Sequence, residues 1–198
     1  MSDRVVDLRS SSTALPKIRL MAGTQALTGS WSTTSMARYR FVTEWQADAP
    51  VDRVWDVLLD YRNWPTWWKG FRSVEQIQAG EESGVGMVLR QRWRSLLPYT
   101  LVFDLAITDV RRHGFLEGRA SGDVEGSCTW TFDESGGRTL VRFVMDVRTA
   151  RWWMNVPVPF ARRIFGFNYD AIMRWGSEGM GRLLRIRVVD RTPELRAA

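Results

Sequence analysis

Between Val124 and Thr149 apolar side chains recur at every second residue on either side of a short glycine-bearing break. Cys128, Trp130 and Phe132 alternate with Thr129, Thr131 and Asp133. Beyond ESGG at 134–137, Val141, Phe143, Met145 and Val147 alternate with Arg142, Val144, Asp146 and Arg148. Successive side chains of a strand point to opposite faces, so each run has one oily face. The glycines supply the turn of a hairpin. Further strand-like runs, at 39–47, 71–78, 86–95, 99–109 and 114–121, are set apart by Gly- or Pro-bearing punctuation. A sheet with one oily face must bury it against another layer.

The end of the chain supplies that layer. After Pro157 and Pro159, the run from Phe160 to about Arg187 has no further proline. At ~100° per residue, Ala161, Phe165, Ile172, Gly176, Gly179 and Leu183 share one side, and Arg163, Asp170, Arg174, Ser177 and Arg185 the other. This predicts a long amphipathic helix. Two shorter pieces follow the first strand. VDRVWDVLLD sets Val51, Trp55, Leu58 and Leu59 on one helical face, and RNWPTWWKGF at 62–71 is a short helix or turn broken by Pro65. The predicted order is strand, two short helices, six strands, long helix.

A chain of 198 residues suits one domain with extensions. Residues 1–35 are rich in Ser, Thr, Gly and Ala and predict a disordered extension, with the domain at 36–190 and a tail at 191–198. Met36 is an alternative start of translation. The net charge is +6, but no block of five or six basic residues exists, and the arginines are scattered among acids. Nucleic acid is therefore not an expected partner, although Arg62 and Lys69 flank Trp64, Trp67 and Trp68. The single cysteine, Cys128, excludes an internal disulfide framework and fits a reducing compartment. No run of 18 apolar residues predicts a membrane span, and no apolar h-region predicts a secretory signal. A soluble cytoplasmic protein is the expectation, with the oligomeric state open.

The order of elements, with ADAPVDRVWDVLLDYRNWPTWW at 47–68, LPYTLVFD at 97–104, SGDVEGSCTWTF at 121–132, TLVRFVMDV at 139–147 and FNYDAIMRWGSEG at 167–179, resembles the START-like (SRPBCC) superfamily. This is the helix-grip fold of the birch pollen allergen. The subgroup it resembles is that of polyketide cyclases/dehydrases and lipid transport proteins. The resemblance covers about residues 39–186 and implies an α+β fold. A seven-stranded antiparallel sheet would wrap a long C-terminal helix, with a cavity between them for a hydrophobic small molecule. No cofactor is implied.

Candidate cavity residues follow. Gly176 and Gly179 lie on the inward face of the helix despite the cost of glycine there. Either they leave room beside Phe165, Ile172 and Trp175, or the sheet packs closely on them. Asn168 falls near the same face, and could orient a ligand or bond a strand end. Tyr169, Tyr61 and Tyr99 are similar candidates. In the helix-grip order Trp64, Trp67 and Trp68 cover one end of the cavity, as wall or mouth, or as plugs of the core. Trp130 and Phe143, on the oily face of the hairpin, complete the candidate lining. Arg90, Arg92 and Arg94 alternate along one strand as a solvated face does.

Chemistry is sparse. His113 is the one histidine, which rules out a multi-histidine metal site and disfavours a Ser–His–Asp system. No GxGxxG, P-loop, CxxC or HExxH motif occurs. The expected function is binding or transport of a lipid- or polyketide-like molecule. A cofactor-independent polyketide aromatase/cyclase, with Tyr or Arg as proton donor, is one alternative. A structural or interaction domain with a filled cavity is another.

Overall fold

A computed structural model describes residues 38–94, 99–149 and 158–192, with side chains of the last segment described from Phe165 onward. The expected disordered extension at 1–35, the alternative start at Met36 and all but Arg191 and Thr192 of the expected tail lie outside the described residues.

The chain runs β1 (Arg38–Ala47), α1 (Val51–Leu59), a 3-10 turn (Tyr61–Asn63), α2 (Trp64–Trp67), β2 (Phe71–Gln78), β3 (Val88–Trp93), β4 (Leu101–Arg111), β5 (Phe115–Gly122), β6 (Val124–Ser135), β7 (Arg138–Thr149), α3 (Val158–Leu184) and β8 (Val188–Asp190). The strands form one antiparallel sheet in the order β2-β3-β4-β5-β6-β7-β1-β8. This is the helix-grip arrangement, with eight strands rather than the seven expected.

The added strand follows from how α3 ends. The helix stops at Leu184 because Arg185 adopts a left-handed φ of 55°. The Ile186 N–H then bonds the Gly181 carbonyl (3.1 Å), and the Arg185 N–H bonds that of Arg182 (3.4 Å). That pair of hydrogen bonds is a Schellman cap, usually built on glycine. With arginine in the place of glycine the sequence shows no stop, which is why the periodicity ran on to Arg187. The released chain pairs with β1, Gln46 opposite Val189.

The β6–β7 hairpin is as the alternation demands. Ser135 pairs with Arg138 across Gly136 and Gly137, whose φ values of 59° and 70° suit the two-residue turn. Trp130 faces Phe143 across the ladder, and their rings stack at 4.2 Å. The sheet's inner face, α1, α2 and α3 bury one continuous core that includes Trp45, Trp55, Trp68, Phe103, Val141, Met173 and Met180.

Candidate functional site

Phe165, Asn168, Tyr169 and Ile172 stand at i, i+3, i+4 and i+7 of α3, so they share one helical face. They line a cavity of about 50 Å³. Facing them are Tyr39 and Phe41 of β1, and Met145, Val147 and Thr149 of β7. Trp93, Tyr99, Leu101 and Val124 complete the wall. The strand residues alternate in sequence, as residues on one face must.

Ring contacts organise the wall. Phe41 stacks on Tyr169 at 4.3 Å, while Tyr39 lies 5.4 Å and Tyr99 6.5 Å from Phe165. The Tyr169 hydroxyl is spent on Thr43 Oγ1 (2.9 Å), within the core. Burial pushes its pKa upward. The Tyr99 phenol is pushed up to about 12, first by burial and then by Tyr39 and Asp123. It is therefore neutral at physiological pH. The Asn168 Oδ1 is buried and accepts no hydrogen bond. No Asp, Glu, His, Lys or Arg occurs among the described lining residues.

The other half of α3 is sealed. A Cβ built on Gly176 would lie 2.5 Å from the Trp68 ring, and one on Gly179 would strike the Trp67 carbonyl oxygen. Trp68 donates its indole N–H to the Ile172 carbonyl (2.8 Å), and Gly70 admits the Ile172 side chain. The two helix glycines therefore receive α2 and leave no room for a ligand, correcting their assignment to the cavity. Trp64, Trp67 and Trp68 are buried at 7%, 9% and 1% exposure, so all three are core. Trp64 donates its indole N–H to the Leu58 carbonyl (3.1 Å).

Of the thirteen residues expected at the site, Tyr99, Phe165, Asn168, Tyr169 and Ile172 meet at this cavity. Trp67, Trp68, Phe143, Trp175, Gly176 and Gly179 do not line it. Trp175 instead sits under Lys69, whose Nζ is 4.6 Å from its ring centroid. Trp64 and Trp130 border a second, apolar cavity of about 30 Å³, with Leu58, Leu105, Leu116 and Phe132 among its neighbours. Tyr61 borders that cavity too and donates its hydroxyl to Gln76 (2.9 Å). The sequence reading missed Tyr39, Phe41, Trp93, Leu101, Val124, Met145, Val147 and Thr149. Continuing the alternation of Phe143 through Met145 and Val147 to Thr149 would have reached three of them.

The arginines of β3 lie away from the cavity, as a solvated face should. Arg90 pairs with Asp104 (2.8 Å), and this hydrogen bond holds the Asp104 carboxyl below its usual range. Arg92 pairs with Glu75. Cys128 is buried, with its thiol pushed up to about 12 by desolvation, and so is not a nucleophile. Among the described residues no group of three His, Cys, Asp or Glu could hold a metal ion, and no helix is long and apolar enough to cross a membrane.

The comparisons agree with this architecture. Among solved structures, the Zhui aromatase/cyclase of a Streptomyces species superposes with a TM-score of 0.62 at 17% identity, covering 75% of this chain and 95% of that one. A START superfamily protein of Mycobacterium smegmatis gives 0.59 at 13% identity, covering 74% and 98%. No curated protein sequence matches the chain. Residues 38–175 match the family described as polyketide cyclase / dehydrase and lipid transport. With more than half its length matched, this chain belongs to that family.

Proposed function

We propose that the protein binds or carries a hydrophobic small molecule, lipid- or polyketide-like, between the first half of α3 and strands β1 and β7. The observation that carries this is the contrast along one helix. Trp68 and the Trp67 backbone fill every notch at Gly176 and Gly179, whereas the turns from Phe165 to Ile172 face open volume. Ligand sites are mostly apolar concavities with a few placed polar groups, and this wall fits that description.

The volume of about 50 Å³ is smaller than the ~150 Å³ of an engineered apolar cavity that binds benzene. Occupancy by a larger molecule therefore requires the rings of the wall to move apart. Phe165 and Phe41, both only partly buried, are the rings placed to do so.

The experiment is a native mass spectrum of the protein as purified, with any adduct released and weighed. An apolar adduct, or uptake of a fatty alcohol or aromatic polyketide, is the expected result. A clean unliganded mass after incubation with both classes would overturn this reading and favour an interaction domain with a filled cavity.

One observation favours a second reading, cofactor-independent ring closure of a polyketide. The Tyr99 phenol stays protonated through neutral pH and borders the cavity, so it is a candidate proton donor. Turnover of an aromatic polyketide that is lost in Tyr99→Phe would establish it, and intact turnover in that variant would remove Tyr99 from any such role.

A further inference from the structure

The Asn168 side chain presents a buried carbonyl oxygen, without a hydrogen bond, on the helix wall of a mostly apolar and uncharged cavity, whose other polar side chains include the hydroxyl-bearing Tyr39, Tyr99, Tyr169 and Thr149. A buried acceptor left unmade is unfavourable, so the position is primed for a donor from outside the protein. The volume of about 50 Å³ has room for a water, whose place a ligand group would take. Displacing such a water with a group that cannot reproduce its hydrogen bond loses affinity. A carboxylate fares worst, since it would be buried with no cation among the described lining residues.

We infer that Asn168 determines specificity: the cavity takes a neutral molecule whose apolar body lies against Phe165, Tyr99 and Met145 and whose hydroxyl or N–H donates to Asn168 Oδ1. Free fatty acids and other carboxylates are excluded, as are alkyl ammonium ions, while alcohols, phenols and neutral aryl amines are admitted. The inference rests on the cavity being the binding site.

Calorimetric titration of the full chain at neutral pH with 2-naphthol, 2-methoxynaphthalene and 2-naphthoate separates the possibilities. These share one apolar body and offer, respectively, a donor, an acceptor alone and a charge. The expected order is naphthol ahead of its methyl ether by about 2- to 10-fold, the range a neutral hydrogen bond supplies, with naphthoate weakest. Asn168→Leu is expected to erase the advantage of naphthol while keeping the ether bound at least as tightly, which also shows that the variant is folded. Equal affinity of the wild type for naphthol and ether, tighter binding of naphthoate, or a naphthol preference that survives in Asn168→Leu overturns the role of Asn168 and leaves the cavity standing. Failure of the wild type to bind any of the three overturns the cavity and the inference together.

Discussion

The indole of Trp68 occupies the space where Gly176 lacks a side chain, and its N–H bonds the carbonyl of Ile172 one turn earlier on the same helix (2.8 Å). Ring and notch are complementary, so each should tolerate change only with the other. Gly176→Ala gains helix propensity of about 0.5–1 kcal/mol but forces its Cβ against the ring. Overpacking of this kind costs about 1–3 kcal/mol, so a net loss of stability is expected.

Trp68→Ala should cost about 3–5 kcal/mol. In that background Gly176→Ala should become neutral or stabilising, because the ring no longer opposes it. Denaturant unfolding of the four proteins of this cycle measures the coupling. Additive losses would show that Gly176 does not accommodate Trp68.

Removing an orphaned acceptor should help the empty protein. Asn168→Leu deletes the buried carbonyl without breaking a protein hydrogen bond to that oxygen, returns any water held there to bulk, and adds apolar contact to a mostly apolar wall. A raised Tm for the unliganded variant is expected by thermal unfolding. A lowered Tm would show that the amide stabilises the helix face.

The Tyr99 phenol titrates at about 12 in the fold against an ordinary value of 10. The unfolded chain therefore ionises first as pH rises. The contribution is fully present below pH about 10 and is lost between about 10 and 12, so stability falls across that window. Tyr99→Phe should make the fall shallower in unfolding experiments at stepped pH. An unchanged slope would mean that Tyr99 titrates normally.

Cys128 has a thiol raised to about 12 and lies 2% exposed opposite Met145. It should react with an aromatic disulfide reagent only as fast as the fold opens globally. Rapid labelling under native conditions would contradict that placement.

What the sequence disclosed followed from periodicity. Alternation at Cys128–Phe132 and Val141–Val147 fixed the hairpin, and the turn at Gly136–Gly137 agreed with it. The face of α3 carrying Phe165 and Ile172 was equally plain. What a glycine on that face admits was not legible, because a missing side chain announces either empty space or a close neighbour. Three-dimensional packing decided for Trp67 and Trp68. β8 was hidden because Arg185 takes the left-handed position that glycine usually marks. Asn168 was visible as an odd polar residue on an apolar face, but whether its carbonyl was already bonded depended on strands distant in sequence.

Methyl-resolved NMR of the full chain titrated with 2-naphthol tests directly whether a ligand enters the cavity beside the first half of α3. Met145, Val147, Thr149 and Ile172 carry methyl groups at the cavity wall, whereas Met180 lies fully buried outside it. Saturable shifts at the four wall residues, with Met180 nearly still, are the predicted result. Shifts confined to surface methyls, or none at saturating ligand, would contradict it.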